Sequence, residues 1–227
     1  MQTCGYPVDT LQNAVNQVCR HVEVKGNSLP WRELEEDILW RELAACILGS
    51  RVSHEKAFTA VERLQSSNLF EPLHAVGNLS KYEARTIDIL KEQRYPFPYA
   101  RAHQLRRSLE SIYLGVGSLK KILLQSKNAA DARCNLVAKA YGIGPKQASL
   151  FLRNIGYSDD LAILDVHVLH YLTWIGLVSE HPKVHSIKRY ENIENVFRSH
   201  AHQLGYSAAQ LDLAVWVVVR VAKRNNA

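Results

Sequence analysis

The chain has 227 residues, enough for one large domain or two small ones with a full apolar core. Hydrophobic residues make up 47% and charged residues 22%, which excludes an intrinsically disordered or collagen-like chain. A net charge of +6 and a pI near 9.1 favour an acidic partner, most commonly nucleic acid, although many soluble proteins are mildly basic.

The first expected element is a helix from Thr10 to Val22, capped by Asp9 or Thr10, then a polar loop at Lys25-Gly26-Asn27-Ser28. No positive region followed by an apolar run opens the sequence, so no secretory signal is expected. Pro30 and Glu35-Glu36 introduce a strong helix. Leu39, Leu43, Cys46 and Ile47 recur in it at helical spacing, and Gly49 stops it. The turn Ser50-Arg51-Val52-Ser53 leads to a helix over His54 to Leu64. Residues 70–134 read as short helices broken at Pro72, Gly77-Asn78, Pro96, Pro98, Gly115 and Gly117. Within them Arg94, Arg101, Arg106 and Arg107 alternate with Tyr95, Phe97 and Tyr99. Such a stretch can pair phosphates and stack on a base; equally, it can start a helix with its aromatics facing the core.

The centre of the chain is Val137 to Asp165. Gly142-Ile143-Gly144-Pro145 reads as a tight hairpin between two helices. The glycines tolerate backbone conformations that other residues resist, and Pro145 suits a first helical turn. Ala148, Phe151, Leu152 and Ile155 then mark one helical face. The free N–H groups and positive dipole end of that helix seat a phosphate, and Lys146 lies in its first turn. Asp165 follows 19 residues later (165 − 146), where it can cap a helix beginning at Val166. Gly176 and His181-Pro182 end that helix, and two more are expected over Lys188–Leu204 and Ala208–Ala222. The last is apolar almost all round, which predicts burial. No strand partners occur, so the fold class is all-α. The run Leu213 to Val219 is too short to span a bilayer.

The four cysteines, at 4, 19, 46 and 134, form no CxxC pair, which fits a reducing cytoplasm, and Cys46 belongs to a core face. His167 and His170 lack further ligand groups at metal spacing, so no catalytic metal and no cofactor are expected.

The stretch GIGPKQASLFLRNIGY…LAILDVH resembles the helix-hairpin-helix DNA glycosylase superfamily, and within it the type-two 8-oxoguanine DNA glycosylase/AP lyases. The resemblance continues, more weakly, at LWRELAACILGSRVSHEKA, RYPFPYARAHQL and QLDLAVW, and covers all but about the first thirty residues. It implies two helical lobes with a DNA-binding cleft between them: residues 1–48 plus 161–227 in one, 49–160 in the other. It implies a catalytic pair, Lys146 and Asp165, and DNA contacts from Gly142, Ile143, Gly144, Gln147 and His167. It places Ser50 and Arg51 at a base pocket or in the gap left in the duplex, although the turn by itself reads equally as solvated, and it places Phe97, Asp212 and Trp216 at the base pocket. The expected partner is double-stranded DNA containing a modified base, met by a monomer. The four-cysteine iron–sulfur cluster of endonuclease III relatives is absent, because no cysteine follows Cys134.

Such an enzyme breaks the N-glycosidic bond through positive charge at C1′, which a nearby carboxylate stabilises. An unprotonated amine then takes C1′, a Schiff base forms, and β-elimination nicks the strand. In this sequence Lys146 and Asp165 match those two roles. The base-reading elements depart from the type-two pattern. The terminus is Lys223-Arg224-Asn225-Asn226-Ala227 rather than a final lysine, Val217 follows Trp216 where an aromatic is usual, and Gly49-Ser50-Arg51 replaces a Thr-x-Asn turn. Two alternatives therefore stand beside 8-oxoguanine: the same chemistry on another modified base, such as a hypermodified base of phage DNA in antiviral defence, or a hairpin that binds DNA without catalysis.

Overall fold

A computed structural model describes residues 7–23, 29–179, 184 and 186–225. The loop expected at 25–28, the break at His181-Pro182, Cys4 and the last two residues lie outside them. Among the described residues the chain is helical and contains no strand. In order come α1 (Val8–Cys19), α2 (Glu36–Leu48), α3 (His54–Ser66), α4 (Pro72–Ala75), a 3-10 turn (Val76–Asn78) and α5 (Leu79–Glu92). Then follow α6 (Pro98–Leu109), a π-helical segment (Glu110–Val116), α7 (Leu119–Gln125), α8 (Ala129–Lys139) and α9 (Pro145–Asn154). The last three are α10 (Val166–Trp174), α11 (Ile187–Gln203) and α12 (Ala208–Asn225).

Two compact units divide the chain: Met1–Gly26 with Ser158–Ala227, and Asn27–Tyr157. The first boundary differs from the 48/49 drawn on sequence, because α2 belongs with the central helices. Leu39, Trp40, Leu43, Ala44, Cys46, Ile47 and Leu48 are all buried, which leaves α2 apolar on nearly every side. A helix of that kind needs neighbours all round, and α3, α6, α7 and α9 supply them. Glu36, at the start of α2, also accepts the N–H groups of Leu119 (2.5 Å) and Lys120 (3.3 Å), so α2 caps the start of α7.

In the other unit α12 packs against α1, α10 and α11. Leu11, Val15, Tyr171, Leu172, Phe197 and Val215 join one core. α1 begins at Val8 behind Pro7, not at a side-chain cap from Asp9 or Thr10. A proline lacks an N–H that would otherwise need a partner there, so it opens a helix without loss. α12 is not buried all round. Leu211, Ala214, Val215 and Val219 are covered, whereas Trp216 is 38% and Val221 54% exposed. Its neighbours cover one broad stripe, and the apolar residues outside it face solvent.

Candidate active site

Within Asn27–Tyr157, α8 and α9 flank the expected hairpin. Gly142 has φ +88°, a left-handed conformation that favours glycine, and a side chain there would collide with Gln104. Ile143 points inward at 8% exposure and anchors the turn. Pro145 opens α9, whose buried face is Ala148, Ser149, Phe151 and Leu152. Lys146 and Gln147 in its first turn are half-buried.

Lys146 lies on the wall of a cavity of about 440 Å³. α2 contributes Glu42 and Cys46, α3 contributes His54 and Phe58, and α9 adds Leu150. Both helix pairs are four residues apart and so share one face of their helix. The Phe58 ring is 58% exposed and lies nearly parallel to His54, at 14° and 6.3 Å between centroids. The volume is in the range of small-ligand pockets, and the mixture of aromatic, apolar and charged walls suits a flat heterocycle. The α2 and α3 walls were missed on sequence. The available signal was Phe58, an aromatic lying off the buried stripe Ala57, Ala60, Leu64 of α3.

Gly49 also lines this cavity and begins the turn to α3. Ser50 is half-buried, while Arg51 is exposed at φ +62°, a left-handed conformation uncommon for a non-glycine residue. Two side chains around the start of α6 hold carbonyls on the approach to Arg51. The Tyr95 hydroxyl donates to the Leu48 carbonyl. Arg101 Nη2 donates to the Ser50 carbonyl at 2.5 Å. The basic, aromatic stretch thus divides. Tyr95 and Arg101 are buried at 4% and 7%, while Phe97 at 43% and Tyr99 at 61% stay outside. Arg106 and Arg107 pair with Glu110, and Arg106 also with Glu83.

In the unit made of Met1–Gly26 and Ser158–Ala227, a buried segment without regular secondary structure leads to Asp165. Three successive N–H groups are received by side chains: Ala162 by Glu194 (3.1 Å), Ile163 by Asp212 (3.1 Å) and Leu164 by the Tyr190 hydroxyl (3.2 Å). That hydroxyl donates in turn to the Ala162 carbonyl at 2.7 Å. Upstream, Asp160 pairs with Arg198 and His202. Side chains thus do for this buried segment what a neighbouring strand does in a sheet. Asp165 caps α10: one oxygen, Oδ1, accepts from His167 N (2.8 Å) and Val168 N (3.0 Å). Both cap bonds fall on Oδ1, so Oδ2 carries neither. The His167 ring stands edge-on to Trp216, with 6.5 Å between centroids, and the Arg220 guanidinium lies 4.8 Å over the other aromatic. His170 is buried and stacks on Trp174 at 5.4 Å.

Asp212, expected at a base pocket, is 4% exposed and engaged with backbone. Asp212→Ala should therefore cost about 1–3 kcal/mol, the penalty for a buried N–H left without an acceptor, while Asp212→Asn should cost less. Urea unfolding checks this. A base-reading role would instead change substrate preference at parental stability.

The model of the 8-oxoguanine DNA glycosylase family matches residues 23–206. The 8-oxoguanine DNA glycosylase/AP lyase of Thermotoga maritima is 34% identical over 186 residues, 82% of this chain and 81% of that one. The protein of the same name from Metallosphaera sedula is 33% identical and covers 82% and 83%. Among solved structures, the 8-oxoguanine DNA glycosylase of Thermotoga maritima superposes with a TM-score of 0.71 at 30% identity, covering 93% of this chain and 95% of that one. The 8-oxoguanine glycosylase/lyase of Methanocaldococcus jannaschii, in complex with a 15mer DNA containing 8-oxoguanine, gives 0.68 at 25% identity, covering 92% and 88%.

Proposed function

Because the chain belongs to the 8-oxoguanine DNA glycosylase family, we propose that it binds duplex DNA, extrudes 8-oxoguanine, releases that base and nicks the strand as an AP lyase, acting as a monomer. The observation that carries the reading is the position of Lys146: first turn of the second hairpin helix, on the wall of a cavity large enough for one purine. The hairpin offers backbone N–H groups at the start of α9 to a phosphate. The cavity takes the base, with Phe58 and His54 as a stacking wall and Glu42 as an acceptor for ring N–H groups. Lys146 supplies the amine that takes C1′ and carries the Schiff base. Asp165 supplies negative charge to the electron-poor sugar. Gln147 and His167 sit in the first turns of α9 and α10, where side chains and backbone together meet phosphates.

The test is base release and strand cleavage on defined duplexes carrying 8-oxoguanine, other damaged bases or glucosylated hydroxymethylcytosine, with borohydride added to trap the covalent intermediate. Release and trapping on 8-oxoguanine are expected. Activity on a bulky modified base alone would keep the mechanism and overturn the substrate, and binding without release or trapping would leave only a DNA-binding protein. Affinity for undamaged duplex should fall with salt, with a log–log slope of about −0.9 for each phosphate contacted.

A further inference from the structure

α6 carries a stripe of three polar residues, Arg101, Gln104 and Ser108, spaced three and four apart and so on one face. The stripe joins two loops distant in sequence. At one end, Arg101 donates through Nη2 to the carbonyl of Ser50 (2.5 Å) in the turn whose Gly49 lines the Lys146 cavity. Through Nη1 it donates to Gln104 Oε1 (2.6 Å). Gln104 lies against Gly142, where a Cβ would meet its side-chain amide, and the backbone of Gly142 at φ +88° itself favours glycine. At the other end, the Ser108 hydroxyl accepts from Tyr141 N (2.8 Å) and donates to the Gln104 carbonyl (2.8 Å). One buried guanidinium thus bonds the cavity's turn to Gln104, which packs on the hairpin that begins Lys146's helix. It also holds its charge at 7% exposure, with Nε given no acceptor in the protein, and lies 5.9 Å from the exposed Phe97 ring. Burying a charge is costly unless hydrogen bonds offset it, and here the two found are those to Ser50 and Gln104.

We propose that Arg101 is a positioning residue for base release: it fixes the Gly49–Ser53 turn, and with it Arg51, relative to the hairpin that begins the helix of Lys146. This rests on the functional reading above. A planar fork can hold Ser50 and Gln104 together, whereas a lysine, with one head group, cannot hold both in the same geometry. Without the link the turn relaxes, Arg51 leaves its left-handed conformation, and the cavity wall loses its register with the amine.

The experiment compares single-turnover 8-oxoguanine release with cleavage of a preformed abasic site, using full-length protein whose active sites are counted by borohydride trapping. In Arg101→Lys the ratio of release to abasic cleavage is expected to fall about tenfold, because the base contacts the turn and an abasic sugar does not. Gln104→Leu should lower the ratio in the same direction, and Gln104→Glu, which keeps the acceptor, should restore it. Arg51→Ala should alter release in the parent but by less than about twofold in Arg101→Lys, since coupled residues are not additive. A merely structural arginine would lower the count of active sites and leave the ratio alone. An unchanged ratio in both Arg101→Lys and Gln104→Leu, or independent effects of Arg51→Ala and Arg101→Lys, overturns the proposal. The parent is measured in the same assay: if it neither traps nor releases, the functional reading fails first, and with it this one.

Discussion

Lys146→Gln is expected to lower strand cleavage and the borohydride-trapped adduct by about a thousandfold or more, while affinity for a lesion duplex changes by about threefold or less. The asymmetry follows from what glutamine keeps. It is one atom shorter but still polar and compatible with a helix, so α9 still presents its N–H groups after Pro145. What it lacks is a nucleophile. Without the amine no covalent bond to C1′ forms, and β-elimination has no Schiff base to act through. Gel shift in parallel with single-turnover cleavage reads both quantities. If Lys146 were instead a phosphate anchor, the substitution would weaken binding and flatten the salt dependence by about one phosphate. Excess enzyme would then restore cleavage.

Sequence made the skeleton of this site legible because its signals are local. Gly142 needs a left-handed backbone, Pro145 opens a helix, and Asp165 caps α10; each is written in a few adjacent residues. The hairpin, the place of Lys146 and the starts of α9 and α10 fall where those residues set them. What was not legible is what distant residues do to one another. Arg101 reads as one more phosphate-binding arginine in a basic stretch, yet it is buried against Ser50, 51 positions away. Asp212 reads as a pocket residue, yet it receives the N–H of Ile163. The cavity beside Lys146 owes two of its walls to α2, which is apolar on nearly every side, and α3, which is amphipathic, and neither pattern says which residues will meet around Lys146. α12 shows the opposite error. Its composition predicts burial all round, but its neighbours cover a single stripe, and only packing decides which apolar residues are left outside.

Asp165 offers the sharper separation of structure from chemistry. Asp165→Asn is expected to lower base release about 10²–10³-fold and leave stability within about 0.5 kcal/mol of the parent. Asparagine caps a helix as well as aspartate does, so its side-chain oxygen can still accept from His167 N and Val168 N. The approach to the cap stays fixed as well, because Glu194, Asp212 and Tyr190 hold Ala162, Ile163 and Leu164 independently of residue 165. Only the charge is removed, so lost activity in this variant measures the carboxylate's hold on a positive sugar and not a displaced loop. Asp165→Ala should lose the cap too and unfold about 1 kcal/mol more readily, with release no faster than in the asparagine variant. Chemical denaturation and single-turnover release, run on both, resolve the two roles. Were Asp165 only a cap, asparagine would match the parent in both measurements and alanine would differ in stability alone. A carboxylate that both caps and catalyses gives the crossed pattern: normal stability without activity in asparagine, and neither in alanine.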